Sequence, residues 1–328
     1  MNKISRRTFN TGLTAALGAD LVGTSGARAQ SFATRDVLFI CGFAAGSGAD
    51  LTVRFFAEKM RPMLGRNVLV ENKVGALSNI ATEYVARSKP DGHTLYVTSA
   101  GVLAANQHLL KTPTVDLANA LQVFGTINKA PYMITVRGDS PYKSIAELTA
   151  AMKEKGDKAS YGFAAGGAVK VVGALYKEKA GLQAVEISYR ASADYVNDLA
   201  SGKIDFVIAD NVFAIAQQQQ GRMRILAVST PQRLQAAPDY PTMTELGYPV
   251  NVIGWWAGLV PSATPRPIVD QLGKMLNDVV ASEDGKKFLS SIGSDPWIQT
   301  PDQGQAFMRE QIKDWGEYVK IANIEKQG

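Results

Sequence analysis

From Asp36 onward, short apolar runs alternate with longer stretches of helical periodicity, the order expected of parallel strands linked by covering helices. The pattern predicts an α/β fold. Val37-Leu38-Phe39-Ile40 reads as a buried strand, followed by the loop Gly42-Phe43-Ala44-Ala45-Gly46-Ser47-Gly48 and a helix from Ala49 to Leu64. Strands are expected at Asn67 to Glu71 and Thr94 to Thr98, separated by a helix from Ser78 to Ser88 and a Pro90-Asp91-Gly92 turn. A second series opens with a strand at Tyr132 to Val136 and a helix to Lys155 that Ser144 and Glu147 start at capping-box spacing. It continues with strands near Ser160 to Phe163, Val185 to Ser188, Ile204 to Ala209 and Arg224 to Ser229. Between them fall helices from Val169 to Lys179 and from Ser192 to Gly202. A proline-rich excursion through Pro231, Pro238, Pro241 and Pro249 leads to a strand at Trp255 to Val260 and a largely helical tail. Two such series, joined near Ala130 with a return near Val252, predict two lobes linked by two crossings, with a cleft that closes by a hinge.

The start of the chain changes the picture of its compartment. Ser5-Arg6-Arg7-Thr8-Phe9, a mildly apolar stretch from Thr11 to Val22 and Ala27-Arg28-Ala29 follow one another as in a twin-arginine export signal, so cleavage after Ala29 and a periplasmic location are expected. The apolar stretch is too short to span a bilayer and carries Asp20, Gly12 and Gly18. Losing Lys3, Arg6, Arg7, Arg28 and Asp20 with the leader lowers the formal charge from +5 to +2. No concentrated basic stripe remains for nucleic acid.

Composition removes further classes of chemistry. A single cysteine, Cys41, permits no intramolecular disulfide, and with only His93 and His108 the chain lacks the spacings of a zinc shell. The apolar neighbours of Cys41 predict a buried thiol rather than a nucleophile. Gly46-Ser47-Gly48 would need a third small residue where Leu51 stands to form a dinucleotide loop, and there is no Gly-Lys-Ser/Thr phosphate loop. Ser99, His93 and Asp210 lack the Gly-x-Ser-x-Gly elbow of a hydrolase. No cofactor, metal or catalytic residue is expected.

Ligands of open α/β folds bind at the C-terminal ends of strands, which places the Gly42 to Asp50 loop first among candidate sites. Its backbone amides and the following helix N-terminus suit an anion such as a carboxylate, although a strand-to-helix turn also needs glycine for its dihedrals. Ala164-Ala165-Gly166-Gly167-Ala168 repeats the arrangement in the second series. Ser99, Tyr189 and Asp210 end strands near the same crevice, and Asp210 is also placed to cap the next helix. Of Trp255 and Trp256, at most one is expected to touch ligand.

Several blocks in order resemble the tripartite tricarboxylate transporter substrate-binding proteins, also called Bug proteins, across nearly the whole mature chain. They include Phe43 to Asp50, Val70-Glu71-Asn72-Lys73, Ala86 to Leu95, Tyr161-Gly162, Asp205-Phe206 with Asp210-Asn211, and Leu226-Ala227-Val228-Ser229. Pro241-Thr242 with Glu245-Leu246-Gly247, and Trp255 with Pro261 and Thr264-Pro265, complete the match. The resemblance implies an α/β fold of the periplasmic-binding-protein type II-like kind. In this chain the leader is 1–29, the first lobe is 30–130 plus 252–328, and the second is 131–251.

The resemblance also implies a non-enzymatic, monomeric receptor for a small carboxylated solute: a di- or tricarboxylate, an acidic amino acid or an aromatic acid. Its partners would be inner-membrane transporter subunits; a ligand sensor for a membrane kinase, or an enzyme acting on a carboxylic acid, are the alternatives. Carried over by position, the ligand-binding candidates are Phe43, Ala45, Gly46, Ser47, Gly48, Asp50, Ser99, Gly166, Gly167, Ala168, Tyr189 and Asp210. The chain departs from its relatives at Ala44-Ala45-Gly46-Ser47, where a proline and paired glycines are usual. Gly75-Ala76-Leu77-Ser78 replaces a glycine-rich stretch, and Tyr189-Arg190-Ala191 replaces Tyr-Lys-Gly, so that Arg190 offers a charged contact.

Overall fold

The protein is represented by a computed structural model that describes residues 32–113, 115–164, 167–190 and 192–326. The expected export leader therefore lies outside the described residues, as does Gly166.

The chain begins with β1 (Val37–Cys41), α1 (Gly48–Leu64), β2 (Val68–Asn72), α2 (Asn79–Ala86) and β3 (Thr94–Ser99). A wide helical turn, Gly101–Ala105, runs into α3 (Asn106–Leu109), and α4 (Leu117–Ala120) leads to β4 (Leu121–Ala130). Then come β5 (Tyr132–Arg137), α5 (Ile145–Lys155), β6 (Ser160–Ala164), α6 (Gly167–Ala180) and β7 (Val185–Tyr189). They are followed by α7 (Ser192–Ala200), β8 (Phe206–Asp210), α8 (Asn211–Gln219) and β9 (Met223–Val228). The last part holds β10 (Gly254–Pro261), α9 (Arg266–Ala281), α10 (Glu283–Ser291), β11 (Asp295–Pro296) and α11 (Pro301–Ile321).

The strands form two sheets, ordered β11-β4-β10-β3-β1-β2 and β7-β6-β8-β5-β9. In the first, β1 runs parallel to both β2 and β3, and a strand covered on both faces reads as a continuous apolar run. Phe39 and Ile40 are accordingly fully buried. β10 enters antiparallel between β3 and β4. In the second sheet β6 is parallel to β7 and β8, while β5 is antiparallel to β8 and β9. The two sheets with the helices packed on them make the expected α/β architecture of two lobes.

Local signals set the helix boundaries. Ser47 caps α1 by accepting the amide of Asp50, and Gly65 ends it at φ 64°. The Ser144 hydroxyl accepts the Glu147 amide at α5, and Thr300 and Gln303 close a full capping box at α11. By contrast β4 does not stand out in the hydrophobic pattern. It lies between β10 and β11 with α9 and α11 packed on it, so Thr126 and Asn128 are as buried as its apolar residues.

The chain crosses between sheets twice, through Pro131 and through residues 229–253, and Ser229 ties the two crossings together. Its amide donates to Tyr132 O (2.9 Å), its hydroxyl accepts from Tyr132 N (3.0 Å) and donates to Val252 O (2.6 Å), and its carbonyl accepts from Val252 N (3.1 Å). A third link is made by packing: α11 sends Met308 into the core of the first sheet, and Trp315, Val319 and Ala322 into that of the second.

Candidate functional site

Two cavities open where the sheets face each other. The larger, about 1000 Å³, draws walls from the loop after β1, the end of β3 and α3 on one side and from β6, α6 and β8 on the other. The smaller, about 500 Å³, lies against the crossings, between the starts of α1 and α8 and the face of β10. Ser99, Tyr132 and Asp210 line both, so the two are chambers of one cleft.

The structure brings Phe43, Ser99, Gly167, Ala168 and Asp210 onto the larger chamber, and Gly48, Ser99 and Asp210 onto the smaller. Phe43 also tilts against Trp256 with centroids 5.6 Å apart. Trp255 and Trp256 both border the smaller chamber, but the Trp255 ring is fully buried, edge-on to Phe307 and Trp297 in the core of the first sheet. Ala45, Gly46, Ser47, Asp50 and Tyr189 line neither chamber.

Asp50 instead wires its loop together. Its Oδ2 accepts the Gly46 amide and Arg54 Nε, each at 2.8 Å, and its Oδ1 accepts Asn72 Nδ2 at 2.7 Å. Asn72 also donates to Phe43 O, and Arg54 to Asn72 Oδ1. Burial disfavours the Asp50 charge, but the bonds from Arg54, Asn72 and Gly46 outweigh it and hold the carboxyl down at about 2. The fixed loop leaves Ser47 as helix cap and sets the α1 amides at Gly48 and Ala49 against the smaller chamber. Cys41, just before the loop, is buried, and desolvation pushes its thiol up.

Asp210 has another setting. Its Oδ1 accepts the Phe213 amide at 2.9 Å and caps α8, as its position before a helix suggested. Burial nevertheless raises its carboxyl, and among the described residues it forms no ion pair. Tyr132, its partner across β5 and β8, is raised by burial and by the Asp210 charge. Tyr189 donates to Asp198 at 2.9 Å, and burial with that bond pushes its hydroxyl up to about 12. Arg190 is exposed and lines neither chamber. His93 stands at the opposite end of β3 from Ser99, with Nε2 accepting the Thr34 amide.

Sequence reasoning passed over several residues that shape the cleft. Ala76, Leu77 and Ser78 occupy left-handed backbone in succession, at φ 46°, 54° and 71°, where glycine is the usual occupant. Ser78 Oγ fixes this turn to Gly42 O at 2.8 Å, Asn106 Nδ2 donates to Leu77 O, and Leu77, Ser78 and Asn106 line the larger chamber. The departure from a glycine-rich stretch at this point was the available signal. Asn128 and Lys170, lining the smaller and larger chambers respectively, gave none, because an isolated polar residue in an unread strand or helix has no direction.

The sequence profile described as tripartite tricarboxylate transporter family receptor matches residues 52–324. The chain belongs to that family. BugT of Bordetella pertussis is 27% identical over 295 residues, 89% of this chain and 90% of BugT. Among solved structures, the periplasmic binding protein BugD superposes with TM-score 0.75 at 33% identity, covering 90% of this chain and 99% of BugD. The R. palustris protein Rpa4515, solved with adipate, gives 0.79 at 27% identity and covers 90% and 99%. The receptor's family and fold are those of periplasmic solute-binding proteins rather than enzymes.

Proposed function

We propose that this receptor captures a small carboxylated solute in the bacterial periplasm and presents it, as a monomer, to inner-membrane subunits of a tripartite tricarboxylate-type transporter. The observation that carries the reading is the cleft of two chambers walled by both sheets, with backbone amides at the start of α1 and hydroxyls and amides at strand ends. The adipate in Rpa4515 supports a carboxylate as ligand class. Ligand contacts then fall to Phe43, Gly48, Ser99, Gly167, Ala168 and Asp210, while Asp50 holds the loop in place. The lobes divide as 30–130 with 252–328, and 131–251, a division supported by the membership of the two sheets. Closure would pivot on the crossings joined by Ser229, and the closed form is what the membrane subunits meet.

A thermal-shift series of residues 30–328 against mono-, di- and tricarboxylates and aromatic acids tests the reading, because a ligand of the native state raises the melting temperature. A saturable shift with the compound recovered unchanged is expected; turnover of the compound would replace the receptor reading with an enzyme. Export by the twin-arginine route, with removal of residues 1–29, predicts that replacing Arg6 and Arg7 by lysine leaves full-length precursor in the cytoplasm. Normal export of that variant would remove this route.

A further inference from the structure

We infer that the solute carries an ammonium group beside its carboxylate, and that the smaller chamber reads this pair through Asp210, Asn128 and the first amides of α1. The inference rests on the solute-capture reading and narrows its ligand class to aminocarboxylates.

Among the described residues that line the smaller chamber there is no lysine, arginine or histidine, and its only carboxylate is Asp210. A second ligand carboxylate placed there would meet a like charge with nothing to offset it, in a space where burial already raises the Asp210 carboxyl. The described cations of the cleft, Lys170 and Lys326, line only the larger chamber.

The chamber wall also holds unused hydrogen-bonding capacity. Asn128 is 1% exposed, and its Oδ1 has no hydrogen-bond partner among the described residues. Register places its side chain on the chamber face: Asn128 pairs with Trp256, which pairs with Ser99, so the three form one row across β4, β10 and β3. All three line the smaller chamber. A buried acceptor left without a donor is costly, and a ligand that supplies the donor recovers that cost. Asp210, Asn128 and Ser99 thus offer oxygen acceptors beside the aromatic faces of Trp256 and Tyr132, a setting that suits a protonated amine.

The facing wall supplies the complement. Gly48 and Ala49 open α1, where first-turn amides have no acceptor within the helix. A Cβ added at Gly48 would lie 3.7 Å from Val212 Cγ1, so the starts of α1 and α8 approach each other across the chamber. Donors on one wall and acceptors on the other match a carboxylate and an ammonium on a single solute, whose remainder extends into the larger chamber past Phe43, Val102, Leu109 and Phe163.

Isothermal titration of the mature receptor with matched pairs tests this: leucine against isocaproate, phenylalanine against hydrocinnamate, glutamate against glutarate, and ε-aminocaproate against adipate. In at least one pair the amine-bearing member should bind tenfold or more tightly. Asp210→Asn should reduce that preference to within twofold, and Asn128→Ala should reduce it severalfold in a chain whose melting temperature shows it folded. Equal or tighter binding of the amine-free member in every pair that binds would overturn the inference and leave solute capture standing. Binding of no member of any pair would overturn the inference, and solute capture falls with it when the wider carboxylate series gives no shift either.

Discussion

Asp50 and Asp210 each sit at the start of a helix that leaves the C-terminal end of a parallel strand, one in each sheet, yet they live in opposite environments. Asp50 is enclosed by Arg54, Asn72 and the Gly46 amide, and its charge is fully matched. Asp210 caps α8 with one oxygen, meets no cation and borders both chambers. The wall of the first sheet is held by internal bonds, with Ser78 on Gly42 and Asn72 on Phe43 as further ties, whereas the wall of the second leaves a carboxylate turned to the cleft. Sequence position alone would have made the two equivalent; what distinguishes them is whether the protein or the solute is left to balance the charge.

The largest effect should come from breaking the wired wall. Asp50→Ala leaves the Gly46 amide, Asn72 and Arg54 without their acceptor and should cost about 3 kcal/mol of unfolding free energy in urea titration. Asp210→Asn keeps a competent helix cap and should change stability by less than about 0.5 kcal/mol. Similar losses in both variants would erase the distinction.

Acid titration sharpens the comparison, because the two carboxyls move in opposite directions. Asp50 stays ionised in the native state where the unfolded chain takes up a proton, so its contribution is present above 3.8 and is lost as pH falls towards about 2. The raised Asp210 carboxyl keeps its proton in the native state above 3.8, so stability falls as pH rises through the window just above that value. In melting-temperature profiles, Asp50→Asn should flatten the acid limb, while Asp210→Asn should remove the opposing slope. The same change in both profiles would refute the assignment of environments.

Smaller effects probe what holds the walls together. Ser229→Ala removes one hydroxyl that serves both crossings and should cost about 1.5 kcal/mol in the same denaturant series. Leu77→Gly relieves left-handed backbone at a half-exposed position and should stabilise by about 1 kcal/mol, measured by the same titration. Destabilisation by Leu77→Gly would mean that the side chain contributes more than its backbone costs.

Most strands could be read in advance because fully covered parallel strands such as β1 and β8 are runs of apolar residues bounded by turns. β4 could not, since Gly125, Thr126 and Asn128 dilute its run and their burial depends on partners far along the chain. The candidate loops were visible for the same reason as the strands they end: small residues between a strand and a helix are a local signal. Tyr189 shows what a local signal leaves open: the end of β7 lies at the edge of its sheet, and there its hydroxyl meets Asp198 on α7.

By itself, then, the sequence determined the alternation of strands and helices, the caps Ser144 and Asp210, and the absence of a metal or nucleotide motif, because each follows from residues a few positions apart. Only the tertiary structure decided which aspartate would be neutralised by the protein, that the Trp255 ring would enter the core while Trp256 met Phe43, and that Asn128 would border the smaller chamber without a partner among the described residues. Those outcomes depend on contacts such as Asp50 with Asn72 and Trp256 with Asn128, between residues 22 and 128 positions apart respectively. Their burial and charge balance exist only once the two sheets have been brought together.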